Sequence, residues 1–283
     1  MFDRGLTGMG AVVLAAALMI TTGGVKAADD AKYPNWKGQW DVINPRFGGQ
    51  AIKFDPTKAF GLAQQAPLTQ EYQKVHAASM ADQAKGGLGN YPTARCLPSG
   101  MPRLMALSGQ EYVITPETTY ILIGHDVRRI FTDGRDFPKD AEPAYEGYAM
   151  GKWIDEDGDG VYDVLEVETR GFKGPRTYEA SGIRLHDDGE SIIKERIRLA
   201  DKDTLLDEIT TIDHALTRPW TITKKYVRET KPNPVWYFND CAENNRHVFI
   251  GDDSYFISED GFLMPVKKGQ KPPDLRYFKS TGK

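Results

Sequence analysis

The chain has 283 residues, 40% hydrophobic and 27% charged, which is ordinary globular composition and enough length for one large or two modest domains. That balance excludes disordered, collagen-like and disulfide-framework chains. Lys and Arg number 36 against 40 Asp and Glu, for a net charge of −4; with no long basic run to neutralise a row of phosphates, nucleic acid is not an expected partner.

In chain order, the first segment reads as a secretory signal. Arg4 supplies a positive n-region, Ala11 to Ile20 is unbroken apolar sequence, and Thr21-Thr22-Gly23-Gly24 precedes Val25-Lys26-Ala27. Cleavage after Ala27 fits the small-residue rule. A membrane-spanning helix needs about 20 apolar residues, about twice this run, so no stable span is expected. Residues 1–27 are therefore read as a removed signal and 28–283 as one exported, periplasmic or secreted domain.

Alternation of Trp40 and Val42 predicts a first strand between Trp36 and Ile43. Thr69 can cap a helix from Gln70 to Lys85, ended by Gly86-Gly87. A loop rich in Pro and Gly then leads into period-two sequence. Glu111–Thr115 and Thr119–Gly124 flank Pro116-Glu117 as a hairpin, and Val127–Thr132 follows. Tyr145–Trp153 pairs with Val161–Thr169, Ile193–Leu199 with Leu205–Asp213, and Trp220–Arg228 is a further strand, with Val235–Phe238 and Val248–Ile250 weaker. The expectation is a mainly β fold, an antiparallel barrel or sandwich with one N-terminal helix and a docked C-terminal segment.

The two cysteines, Cys96 and Cys241, both fall in the exported part. In an oxidising compartment that count predicts a bridge, which by the chain-entropy model adds up to about 5 kcal/mol for so long a loop.

The most specific motif runs from Asp155 to Glu166. Counted from Asp155, the carboxylates of Asp155, Asp157, Asp159, Asp163 and Glu166 and the carbonyl of Val161 fall on the ligand positions of a calcium loop, and Gly160 sits where the sharp turn is needed. A hard cation wants about six to eight oxygens, and alternate residues of a tight loop can aim them inward. The flanks read as strands, so the expectation is a calcium ion at the tip of a β-hairpin. Glu166 is the ligand whose side chain a strand would turn away from the loop. A solvated acidic turn is the competing reading, because Asp-Gly pairs also suit turn geometry alone.

No zinc-peptidase, thioredoxin-like, nucleophile-elbow or P-loop motif occurs. His125 beside Asp126, His214 beside Asp213, and Glu243 in the polar loop Asp240–His247 are the candidate acids and bases. Neighbouring strand residues point to opposite faces, so neither His-Asp pair is a dyad by sequence alone. Arg129, Asp133 and Arg135 with Trp153 and Trp220 are the candidate binding residues for a small organic molecule. Trp40 and Trp236 are further aromatics that could line a barrel mouth.

Several segments together resemble a widespread group of exported bacterial proteins with no secure general activity. They are Arg95-Cys96-Leu97-Pro98-Ser99-Gly100-Met101-Pro102-Arg103, Arg128-Arg129-Ile130-Phe131-Thr132-Asp133-Gly134-Arg135, Gly151-Lys152-Trp153, Val167-Glu168-Thr169 and Leu216-Thr217-Arg218-Pro219-Trp220-Thr221. The likeness covers most of the mature chain and carries over no catalytic role. In that group the turn after Gly-Lys-Trp is short, which makes the acidic loop an addition to the scaffold. Gly38-Gln39-Trp40 also resembles the lipocalin opening, which implies a barrel of that type. The combined expectation is an exported calcium-binding β protein that takes an aromatic or terpenoid-like molecule in a pocket. Its alternatives are a periplasmic lyase, isomerase or hydrolase using the same pocket, and a structural envelope protein. The sequence leaves the oligomeric state open.

Overall fold

The period-two segments close into a barrel. The computed structural model describes residues 32–43, 66–92, 96–124, 126–178, 182–235, 247–251, 253–258 and 260–274. Within these, β1 (Gln39–Ile43), β2 (Gln110–Ile114), β3 (Thr118–Ile123), β4 (Asp126–Phe131), β5 (Tyr148–Ile154), β6 (Val164–Arg170), β7 (Ile192–Asp201), β8 (Thr204–Ile212) and β9 (Trp220–Arg228) form a closed barrel in sequence order, with β9 returning to β1. Strict alternation drives closure. On β8, Leu205, Asp207, Ile209 and Thr211 are buried while their neighbours are half-buried, and every strand finds a partner on both edges, so no edge is left to be shielded.

Two features depart from the expected architecture. The sheet is mixed, because β4 and β5 pair in parallel through Ile130 with Ala149 and Phe131 with Met150. The segment 132–147 is too long for a tight turn and carries the chain back before β5 begins, as a parallel connection requires. Gly151 serves this approach, since a Cβ there would meet the Ile130 side chain at 2.5 Å. A lipocalin barrel is up-and-down with eight strands; the nine strands and parallel step here differ from it.

Helix α1 (Gln70–Gln83) starts as its sequence requires, with Thr69 Oγ1 accepting from the Tyr72 N–H at 3.3 Å. Its start is tied to the β8–β9 connection by the Thr69 N–H to Ala215 O bond of 2.9 Å and the Thr217 N–H to Pro67 O bond of 2.8 Å. A second, short helix, α2 (Arg103–Leu107), was not expected. With its lead-in it buries Met101, Leu104 and Met105 in the barrel core, and Tyr226 of β9 donates its hydroxyl to Met105 O.

C-terminal strands β10 (His247–Ile250), β11 (Asp253–Ile257) and β12 (Leu263–Pro265) make a separate three-stranded sheet. The segment following β12 reaches the far end of α1, where the Lys268 N–H bonds Lys85 O at 2.8 Å and Lys267 pairs with Asp82 at 3.0 Å. The weaker candidate strand at 235–238 does not form at Val235, which is exposed, and the rest of it lies outside the described residues. Residues 1–27 also lie outside them. Among the described residues no helix is long and apolar enough to cross a membrane.

The strand pairings distribute the loops. One end of the barrel carries the β2–β3, β5–β6 and β7–β8 connections, and the other carries the β3–β4, β6–β7 and β8–β9 connections.

Candidate functional site

The barrel interior is not wholly apolar. Arg128 on β4, Glu195 on β7, Asp207 on β8 and Lys224 on β9 are each at most 2% exposed, and they sit on the inward face because each follows the burial alternation of its strand. Arg128 reaches across from β4 to side chains of β6 and β7. Its Nη1 donates to Glu195 Oε1 at 2.8 Å and its Nη2 to Thr169 Oγ1 at 2.9 Å, while Nη2 also pairs with Glu195 Oε2. This bidentate geometry is what a guanidinium needs to remain charged out of water.

Asp207 lies directly across the ladder from Lys224, yet neither of its carboxylate oxygens has a hydrogen-bond partner among the described residues. Burial, then the neighbouring Glu195 charge, pushes its carboxyl well above the usual carboxylate range, against the opposing pull of Arg128 and Lys224. Tyr112 on β2, whose hydroxyl donates to Gln110 Oε1, and Tyr226 complete the polar surface. Burial, with the Asp207 and Glu195 charges, raises both phenols well above their ordinary value. Thr119 and Thr211 add buried hydroxyls that also find no partner among the described residues. Tryptophans frame the region: Trp36 packs on Tyr112 and on Trp153, with ring centroids 5.0 Å apart in each case.

The acidic segment forms the β5–β6 hairpin loop. Asp155 accepts from the Gly158 N–H at 2.7 Å and from the Gly160 N–H at 2.9 Å, and Asp157 and Asp159 each accept from an N–H two residues on, at 3.1 and 2.8 Å. Gly158 and Gly160 hold φ of 76° and 91°, which the winding requires. One carboxylate oxygen from each of Asp155, Asp157 and Asp159 falls within 4.8 Å of the others. Asp163 accepts from the Glu156 N–H at 2.7 Å, and the Val161 N–H is the donor to Asp159. Glu166 sits on the outer face of β6, where Arg196 of β7 reaches it at 3.2 Å and pairs with Glu156 as well. Tyr162, at the foot of the loop, is fixed by its N–H to Lys32 O at 2.8 Å and packs on Tyr33.

The other candidates are scattered. Arg129 points outward from β4, beside the inward Arg128. Asp133 and Arg135 form a solvent-facing pair after β4, in which the Arg135 side chain holds the Asp133 carboxyl below its usual range. These three are therefore not brought together with Trp153 or Trp220, which are buried at opposite ends of the barrel; Trp220 packs on Tyr178 with ring centroids 4.6 Å apart and the planes tilted. His214 is exposed on the β8–β9 connection, 2.5 Å from Asp188. His125, Trp236, Cys241 and Glu243 lie outside the described residues; Cys96 is not a free thiol.

Glu195, Asp207 and Lys224 are absent from the sequence-based candidates. The signal was present: Ile193-x-Glu195-x-Ile197 and Leu205-x-Asp207-x-Ile209 each place a carboxylate on an otherwise apolar period-two face. No family model and no curated protein matches the sequence.

Proposed function

We propose that this is an exported barrel protein that binds a small organic molecule inside the barrel, through a hydrogen-bond donor on that molecule directed at Asp207. The observation that carries this reading is the fully buried Asp207 carboxyl, with both oxygens lacking a hydrogen-bond partner among the described residues. A buried carboxyl in that condition costs stability unless a water or a ligand supplies the missing bonds. The tyrosines and tryptophans nearby suit an aromatic or terpenoid-like body joined to a hydroxyl or amine.

The test is titration of the mature protein with N-phenyl-1-naphthylamine, an aromatic body carrying one N–H donor, followed by fluorescence. Saturable one-to-one binding is expected, weakened about tenfold in Asp207→Asn, in which half of the acceptor surface becomes a donor. Absence of saturable binding, together with no small molecule retained by the exported protein in native mass spectrometry, refutes the reading.

A second reading uses the same residues as an acid–base enzyme. It is favoured by one observation, the placement of buried Asp207 diagonal to Glu195 on the adjacent strand, where burial and the second carboxylate raise the Asp207 carboxyl as a general acid requires.

Calcium on the β5–β6 loop and a Cys96–Cys241 bridge belong to the same proposal. Spacing supports the ion, as does the convergence of the Asp155, Asp157 and Asp159 oxygens. Calorimetry of chelator-stripped protein should show uptake of one calcium, and the absence of heat at millimolar calcium rejects the ion. Non-reducing peptide mapping tests the bridge.

A further inference from the structure

At the end of the barrel opposite the acidic loop, two connections converge on one carboxylate. Asp188 Oδ2 lies 2.9 Å from His186 Nδ1 and 2.5 Å from His214 Nδ1. The first two residues come from the β6–β7 connection and His214 from the β8–β9 connection. The two imidazoles meet edge to face at 5.7 Å, and His186 also packs on Tyr72 of α1 at 5.7 Å. One ligand atom from each of the three residues falls within 4.8 Å of the other two. Glu190 Oε2 is the next nearest carboxylate, 3.9 Å from His214 Nε2.

The cluster is held from beneath. Asp213 is 8% exposed, and its Oδ1 accepts from the His186 N–H at 3.0 Å and from the Ala215 N–H at 2.8 Å, thereby fixing the backbone on both sides of the cluster. Its Oδ2 accepts from Ser191 Oγ, which accepts in turn from buried Arg176 at 2.6 Å. Asp188 Oδ1 accepts from the Glu190 N–H at 3.0 Å, which leaves Oδ2 for the imidazoles. Exposed ion pairs that serve only solubility do not need a buried network to align them; ligand sets do, because preorganisation of outer-shell partners sets metal affinity.

We infer that His186, Asp188 and His214 bind a divalent transition metal of the zinc class, through one nitrogen of each imidazole and one carboxylate oxygen. Two nitrogens and one oxygen are a borderline donor set that prefers zinc, cobalt or nickel over calcium. Bonds of about 2.0–2.1 Å in a tetrahedral site hold ligand atoms about 3.3 Å apart, so side chains already at 2.5 and 2.9 Å need to open by less than 1 Å to admit the ion. The metal takes the position of the proton between Asp188 Oδ2 and His214 Nδ1, and it displaces the Asp188 N–H as the partner of His186 Nδ1, which accepts from it at 3.2 Å. Its remaining position faces solvent, since the His214 side chain is 63% exposed. This is the open arrangement of a site that receives a further ligand.

The experiment uses mature, tag-free protein stripped with chelator and titrated with cobalt, then with zinc. The expected result is uptake of one cobalt with the visible absorption of a nitrogen-ligated ion, loss of that spectrum when zinc displaces it, and persistence in millimolar calcium. His214→Ala and Asp188→Asn, both at exposed positions and checked for folding by circular dichroism, should each weaken uptake at least tenfold. No stoichiometric uptake by the wild-type protein overturns the inference, as does uptake unchanged in both folded variants or abolished by calcium.

Discussion

The interior of the barrel and the β5–β6 loop hold the same residue type under opposite rules. In the loop, Asp155, Asp157 and Asp159 have backbone N–H partners no more than five residues away, and water reaches the remaining lone pairs. In the interior, Glu195 is completed by Arg128, 67 residues distant in sequence, and Asp207 is not completed by any described residue. Charge in the loop is satisfied locally and tolerates change. Charge in the interior depends on the closed barrel, so each substitution there acts on the whole fold.

The largest effect should come from Arg128→Met. It leaves Glu195 buried and uncompensated and removes the Thr169 partner, and loss of one side of a buried ion pair costs about 3–5 kcal/mol. Urea denaturation at pH 7 measures it. Adding Glu195→Gln should recover most of the loss, because the uncompensated charge, more than the missing contact, sets the cost. If the single variant unfolds at the wild-type urea midpoint, the interior charges are solvated and the contrast with the loop collapses.

Next in size is the pH dependence of Asp207. Its folded carboxyl is raised above the ordinary 3.8, so the native state holds a proton that the unfolded chain releases. Its contribution to stability is fully present below about 4 and is lost as pH rises from there through the raised folded value. Asp207→Asn cannot ionise, so its stability should fall less than that of the wild type over that interval. Urea midpoints at a series of pH values give the comparison, and parallel curves for the two proteins would show that Asp207 ionises freely and is hydrated.

What the sequence made legible follows the same division between local and distant. The Thr69 cap and the strands from 110 to 228 emerge from patterns within a few residues, and so does the acidic hairpin. The parallel step between β4 and β5, the insertion of α2 and the meeting of His186 with His214 depend on closure between distant segments, which no local period encodes. Arg128 and Arg129 show the limit most clearly. Alternation says that one of them faces inward, but only the barrel register says which.

The smallest effect, and the sharpest test of the loop's independence, is Asp155→Asn. The amide keeps one acceptor oxygen in place of two, so one of the bonds from Gly158 and Gly160 is lost at an exposed turn where water can replace it. In chelator-treated protein the unfolding free energy from urea denaturation should change by no more than about 0.5 kcal/mol, the usual range for a surface change. With calcium added, the wild type should gain stability by mass action and the variant should gain less. The separation between the proteins would then open only in the presence of the ion. A large loss in chelated protein would mean that the loop supports the barrel without any ion, through the Tyr162 and Lys32 contact at its foot.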